Sequence, residues 1–193
     1  MTRFTVLTLL LLFMPLNVAY AQDSASSSLE IEEHITGLDI ESHFNHIEEL
    51  YTGAKPDLNA IGAFLEAYPT EDFILTDTVL TNRGDMKPET IVKTKESFIQ
   101  DEKERVYELL DTRIRHTLTD IEYLDDKLSA KVSYTALYQG TLKKNTQTYG
   151  WATMGFKSLS VCTNILKLVN GQMKGVKADC KTEIIYDDPV PVN

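Results

Sequence analysis

The sequence predicts an α+β domain in which N-terminal helices are followed by a long antiparallel sheet. Residues 39–51 and 57–68 carry apolar side chains at helical spacing, whereas the chain beyond residue 112 alternates apolar and polar residues over long stretches. Asn170-Gly171, the strongest kind of short hairpin signal, joins the last two of these stretches. We therefore expect one domain over residues 38–188.

Two helices open the predicted domain. Asp39 is the expected N-cap of the first helix, and Gly53 ends it. Its apolar stripe consists of Ile40, Phe44, Ile47 and Tyr51. Pro56-Asp57 opens the second helix and Pro69 stops it. Its stripe consists of Leu58, Ile61, Phe64, Leu65 and Tyr68. His43 and His46 flank the first stripe, and we interpret them as solvated.

A strand and a third helix follow. Residues 72–81 are rich in β-branched and aromatic side chains and predict a strand, and residues 82–85 predict a turn. Pro88-Glu89 has the composition of a helix start, and the charged run 100–105 reads as the solvated face of that third helix. The sequence leaves open whether the helix continues to residue 110.

The remainder is predicted as four long strands, over residues 112–124, 128–142, 149–169 and 172–186. The second shows the clearest alternation, which is typical of a sheet with one dry face. One face carries Leu128, Ala130, Val132, Tyr134, Ala136 and Tyr138, and the other carries Ser129, Lys131, Ser133 and Thr135.

The N-terminus predicts a secretory signal peptide over residues 1–21. Arg3 precedes an apolar run over residues 4–14, and Ala19 and Ala21 provide a small-x-small cleavage site. The alternative, a membrane anchor, is disfavoured because spanning a bilayer takes about 20 apolar residues. We expect cleavage after Ala21, a flexible leader over residues 22–37, a tail over residues 189–193, no stable membrane anchor after cleavage, and a periplasmic or secreted location.

The composition narrows the range of partners. The net charge is −10, so the protein is repelled by phosphate backbones, and we expect no nucleic-acid partner. A basic partner or a neutral small ligand remains open. The sequence contains no Asn-x-Ser/Thr sequon, which favours a bacterial periplasm over a eukaryotic secretory route.

Cys162 and Cys180 predict a disulfide, because an even number of cysteines in an oxidising compartment favours a bridge. Metal binding is the alternative, but two cysteines without a nearby histidine do not form a zinc site, and we expect no metal. A two-residue turn at Asn170-Gly171 would place Cys162 opposite Asp179. A three-residue turn that includes Gln172 and a bulge places it opposite Cys180, and we expect that register.

The order of elements and a set of loose motifs resemble the nuclear transport factor 2-like (SnoaL-like, cystatin-like cone) superfamily. The residues that carry the resemblance are Tyr51, residues 57–61, residues 64–68, Asp72-Phe73, Gly84 and Pro88. The resemblance covers residues 39–186 and implies that a curved antiparallel sheet wraps around the helices and leaves a conical pocket. Members of the superfamily include dehydratases, isomerases and cyclases as well as binding and assembly domains, so the fold does not decide the function.

The resemblance implies pocket-lining roles for Tyr68, His116, Tyr134 and Tyr138. Enzymes of the superfamily place an acid such as Asp or His inside the cone, and His116 lies between two apolar residues of a predicted strand face. His116 is therefore a candidate acid–base catalyst, whereas the competing interpretation is a histidine that merely fills the core. Trp151 is interpreted as a packing residue. The sequence contains no nucleotide or dinucleotide motif, and we expect no cofactor.

Three functions follow as hypotheses. The first is an exported module that binds a small apolar ligand in the cone, or a protein partner or second copy (a homodimer) on the sheet face. The second is a cofactor-free dehydratase, isomerase or cyclase with His116 as base. The third is a subunit of an envelope assembly, since type IV secretion components share the fold. An inward His116 beside an open, polar cavity would favour the enzyme.

Overall fold

The computed structural model describes residues 34–84, 86–124 and 126–192. The predicted signal peptide and most of the predicted leader lie outside these residues and stay predictions. The helices are α1 Gly37–Tyr51, α2 Leu58–Ala67 and α3 Lys95–Glu108. The strands are β1 Pro69–Thr81, β2 Glu89–Thr94, β3 Leu109–Tyr123, β4 Ser129–Thr146, β5 Gly150–Val169, β6 Gln172–Tyr186 and β7 Val190–Pro191.

The domain begins earlier than the predicted boundary. Ile35 is only 3% exposed, and its N–H donates to the Lys127 carbonyl at 2.9 Å. Thr36, not Asp39, is the N-cap of α1, and Asp39 occupies the third helical position of a capping box in which each side chain bonds the other residue's backbone N–H. The expectation that the leader is flexible as far as residue 37 is therefore wrong for Ile35 to Gly37.

The segment predicted to start the third helix is strand β2. Ile91 and Lys93 point to the inner side while Val92 is 66% exposed, which is the alternation of a strand. β2 pairs antiparallel with β1, so the free edge of β1 decides the conformation of a β-branched segment that begins like a helix. The helix starts only at Lys95, and it continues through Val106, which is 2% exposed.

The sheet is seven-stranded, in the order β2-β1-β6-β5-β4-β3, with β7 paired to β5. It is antiparallel apart from the parallel pair β1–β6, so it is mixed and not purely antiparallel as predicted. Two clusters of buried residues fix the three helices to its inner face. One joins Phe44 of α1 to Tyr134 and Cys162, and the other joins Leu65 and Val106 to Tyr138. The predicted α+β architecture, with helices on the concave face, is confirmed.

In the last hairpin the cysteines are paired as predicted, but the extra residue that sets this register lies at a different place than predicted. Cys162 faces Cys180 and Asn164 faces Ala178, as predicted. The turn, however, has only two residues, Asn170 and Gly171, both at positive φ (52° and 70°), as a type I′ turn requires. The extra residue lies within the strands, where the register shifts between Ile165 and Leu166, so Leu166 faces Gly175 instead of Val176.

The two faces of the sheet differ in polarity. The inner face buries Ala130, Val132, Tyr134, Ala136 and Tyr138 of β4, as their alternation predicts. The outer face exposes Leu137, Leu159 and Val161, of which Leu137 and Leu159 lie directly opposite each other on β4 and β5.

The predicted tail is partly structured. Val190 and Pro191 form β7 against Thr153 and Ala152, and the Val192 N–H donates to the Trp151 carbonyl at 2.9 Å. Within the described residues no helix combines the length and apolar character needed to cross a membrane.

Candidate functional site

A cavity of about 650 Å³ lies between the helices and the inner face of the sheet. All three helices and strands β1 to β6 contribute to its wall. The wall is rich in aromatic rings, contributed by Phe44, Phe64, Tyr68, Phe73, Tyr134 and Tyr138 among others. Ligand pockets in proteins typically enclose about 300–1,000 Å³, so this cavity can hold a small organic molecule.

The structure places Tyr68, His116, Tyr134 and Tyr138 in the wall of this one cavity. Burial raises the pKa of Tyr134 and of Tyr138 to about 12, so both phenols are neutral hydrogen-bonding groups at physiological pH. Asn164 of β5 donates to the Tyr134 hydroxyl at 3.1 Å. A role of these four residues in binding or catalysis stays a prediction.

His116 projects inward from β3 and contacts a carboxylate on α1. Its side chain is 6% exposed and its Nδ1 lies 3.3 Å from Oε1 of Glu48, the same oxygen that accepts a hydrogen bond from the His116 backbone N–H. The geometry at Nδ1 is too poor for a hydrogen bond. Burial lowers the pKa of His116, and the Glu48 carboxylate opposes this effect without reversing it. The imidazole is therefore neutral near pH 7.

Tyr68 follows α2 directly and is buried. Its ring lies over Gly175 of β6 so closely that a Cβ there would come within 2.5 Å of Tyr68 Cζ. Its other neighbours are Phe64 and His43, whose rings stack on it at 5.4 and 5.3 Å between centroids. His43 is thus part of the aromatic packing and is not solvated as predicted, and burial lowers its pKa to about 4.

The charged run of α3 is not simply a solvated face. Arg105 and Glu102 line the cavity and form an ion pair at 2.5 Å, and the Glu102 side chain is only 15% exposed. The Arg105 guanidinium lies 5.2 Å from the centroid of the Tyr138 ring, within the range of a cation–π interaction. The sequence could not show this, because the helix begins seven residues later than predicted.

Asp77 is a cavity residue that the sequence analysis missed. It lies on the inner face of β1, and its Oδ2 accepts a hydrogen bond from the Thr182 hydroxyl at 3.0 Å. A signal was present in the sequence: Phe73, Leu75, Asp77 and Val79 alternate, so an acid stands within an apolar strand face. Glu48 had no comparable signal, because its position depends on how α1 packs against β3.

Buried polar atoms without a hydrogen-bond partner concentrate at this cavity. Within the described residues these side-chain atoms are Asp77 Oδ1, His116 Nδ1, Tyr138 Oη and Asn164 Oδ1, and all four residues line the cavity. Leaving a buried polar group unpaired costs about 1–3 kcal/mol, so each of these atoms calls for a partner, which a bound water or a ligand can supply.

Other features bear on cofactors. The Cys162–Cys180 disulfide is present, with Cα atoms 4.2 Å apart, and it forms part of the cavity wall. No group of three or more His, Cys, Asp or Glu residues in the described part of the chain is arranged to hold a metal ion. Trp151 is not a packing residue: it is 56% exposed, with the Lys143 ammonium 5.6 Å from its ring centroid.

Among known proteins, similarity was found only to solved structures. No protein-family model and no curated protein matches the sequence. Similar solved structures include a putative scytalone dehydratase from Novosphingobium aromaticivorans (11% identity, 81% of this chain and 84% of that chain, TM-score 0.47). They also include a protein of unknown function, described as NTF2-like, from Prochlorococcus (15%, 76% and 93%, 0.47), and a hexachlorocyclohexane dehydrochlorinase, LinA type 2 (16%, 82% and 94%, 0.45). Likenesses this remote do not bear on function.

The architecture itself defines the class of protein. Helices α1 to α3 lie in the concave face of a mixed sheet that ends in four long antiparallel strands, and a cavity opens between them. This architecture is a cystatin-like cone, the fold that the resemblance in sequence implied.

Proposed function

We propose that this chain is an exported binding protein that holds a small, mainly apolar molecule with a few polar groups in its cone. The observation that supports the proposal is one aromatic-lined cavity of about 650 Å³ whose wall residues Asp77, Tyr138 and Asn164 each carry a buried polar atom without a hydrogen-bond partner among the described residues. A ligand with hydrogen-bonding groups would pair such atoms while its apolar body covers the rings. The disulfide supports an exported location.

Native mass spectrometry of protein isolated from the periplasm tests this proposal. We expect a mass above that of the chain, and release of a discrete small molecule on denaturation. Ala136→Leu, which adds volume to the cavity wall opposite His116, is expected to lower the bound fraction at least about fivefold because the added side chain occupies ligand space.

Thr135→Leu is the matched control, because residue 135 precedes Ala136 on β4 and does not line the cavity. It is expected to leave the bound fraction unchanged, while circular dichroism shows that both variants are folded. Purely ligand-free spectra, together with no thermal stabilisation by a library of small apolar compounds, would contradict the proposal.

A second candidate function is a cofactor-free enzyme that uses His116 as general base. The position of Glu48 favours it, since its carboxylate binds the His116 backbone N–H and lies 3.3 Å from Nδ1, which sets a carboxylate beside a neutral imidazole as at acid–base sites. His116 lies in the cavity wall with its side chain only 6% exposed, and an inward position is what the enzyme hypothesis requires.

His116→Gln separates the two functions. If the protein is an enzyme, the released compound or its precursor is converted by the wild type, and the variant loses at least about 100-fold in rate while its affinity changes less than about threefold. Equal conversion by wild type and variant would remove His116 as the base. Binding without any conversion would leave the binding protein as the function.

A protein partner or second copy on the outer face of the sheet also stays a proposal, and the exposed Leu137, Leu159 and Val161 support it.

A further inference from the structure

The carboxylate of Asp77 is held at the cavity wall with one oxygen occupied and one unpaired. Its Oδ2 accepts a hydrogen bond from the Thr182 hydroxyl, and Thr182 Oγ1 lies 2.9 Å from Ser160 Oγ. Because a hydroxyl has one proton, Thr182 must accept from Ser160 while it donates to Asp77. These two hydrogen bonds fix the orientation of the Asp77 carboxylate. The other carboxylate oxygen, Oδ1, is buried without a partner among the described residues.

The two cations whose charges act on the pKa of Asp77 form ion pairs with other acids. Lys93 of β2 forms an ion pair with Asp101 at 3.1 Å, and Arg105 pairs with Glu102. Burial raises the pKa of Asp77, and the Thr182 hydrogen bond, Lys93 and Arg105 offset only part of that effect. The negative charge on Asp77 is therefore poorly compensated, and the cost of its burial would be reduced by a donor that a ligand brings.

The charges and rings of the rest of the cavity wall favour a cationic ligand over an anionic one. Its charged side chains in the described residues are five carboxylates (Asp77, Asp101, Glu102, Glu104 and Glu108) and three cations (Lys93, Arg105 and Lys144). Such an excess of negative charge disfavours anionic ligands. The aromatic rings supply faces that attract a cation, worth about 0.5–2 kcal/mol each when close.

We propose that Asp77 anchors a protonated amine of the ligand, so that the cone selects apolar amines over acids of the same shape. This inference rests on the proposed binding function and adds the chemical class of the ligand. The ammonium would donate to Asp77 Oδ1, and its apolar body would lie against the aromatic wall.

Three probes of one shape test the inference: α-naphthylmethylamine, α-naphthylmethanol and α-naphthoic acid. Their affinities are measured by isothermal titration calorimetry on the mature chain. We expect the wild type to bind the amine at least about tenfold more tightly than the acid. Asp77→Asn keeps the shape of the side chain and removes its charge, and it is expected to weaken amine binding about tenfold while alcohol binding changes less than about threefold.

Asp120→Asn is the control, because it makes the same change of charge on an exposed part of β3 outside the cavity, and it should leave all three affinities as in the wild type. Amine binding that Asp77→Asn leaves unchanged, or tighter binding of the acid, would overturn the inference alone. If none of the probes binds and native mass spectra show no ligand, both the inference and the proposed binding function are overturned.

Discussion

Replacing Cys162 and Cys180 together with alanine is expected to lower the free energy of unfolding by about 3 kcal/mol. The bridge closes a loop of 18 residues between directly opposed positions of β5 and β6. Removing it restores the chain entropy of the unfolded state. The domain should still fold, since a chain of this size buries a substantial apolar core. Urea unfolding followed by circular dichroism measures the change.

Two controls define the origin of this loss. Reductant should destabilise the wild type by a similar amount and leave the alanine variant unchanged. Thr163→Ala with Asp179→Ala, at the adjacent opposed pair of the same strands, should cost no more than about 1 kcal/mol because no covalent link is lost. Equal urea midpoints for the wild type and the cysteine variant would show that the bridge does not stabilise the fold.

Acidification from pH 6.5 to pH 4 is expected to destabilise the wild type through His43, by on the order of 2 kcal/mol. Burial is the main cause that lowers the pKa of His43 from 6.5 to about 4, with the charges of His46 and His116 as further causes. Between these values the unfolded chain binds a proton that the folded chain excludes. The contribution of neutral His43 to the free energy of unfolding is therefore fully present above about pH 6.5 and is lost as the pH decreases toward 4.

His43→Phe should make this part of the pH profile less steep, because the ring still stacks on Tyr68 but no longer titrates. The remaining slope comes from groups such as His116, whose pKa burial also lowers. His46→Phe, the same substitution at an exposed site of α1, should retain most of the wild-type profile, because burial and not the charge of His46 is the main cause of the lowered His43 pKa. Hydrogen bonds from Thr36 lower the pKa of Asp39, so the stability that Asp39 contributes is lost mainly below its ordinary pKa of 3.8. A His43→Phe variant whose stability depends on pH as strongly as the wild type's would rule out His43 as the source.

The disulfide and His43 both contribute to the structure of the cavity wall. The disulfide forms part of the wall of the same cavity that Asp77 and His116 line, and His43 supports the wall from behind Tyr68. Reduction or acid would therefore loosen the wall of this cavity together with the fold.

The last hairpin shows which features of the register the sequence predicts and which it does not. Alternation and the paired cysteines correctly predicted that Cys162 faces Cys180, because burial of one face and a covalent bridge demand the same register. The sequence did not reveal where the extra residue lies. A type I′ turn at Asn170-Gly171 is satisfied locally, whereas the bulge near Leu166 accompanies the close approach of the Tyr68 ring to Gly175, a contact distant in sequence.

The sequence by itself determined the properties that depend on neighbours along the chain: two amphipathic helices, the alternating strand with Tyr134 and Tyr138, and the turn residues. Tertiary structure decided the properties that depend on distant partners. The free edge of β1 turned residues 89–94 into a strand, and this shift set where α3 begins and brought Arg105 into the cavity. Packing of α1 against β3 placed Glu48 beside His116, and the cone enclosed His43 and Asp77. Hydrophobic periodicity shows which face of an element is buried, but the groups that meet inside the cone are fixed only when the sheet wraps around the helices.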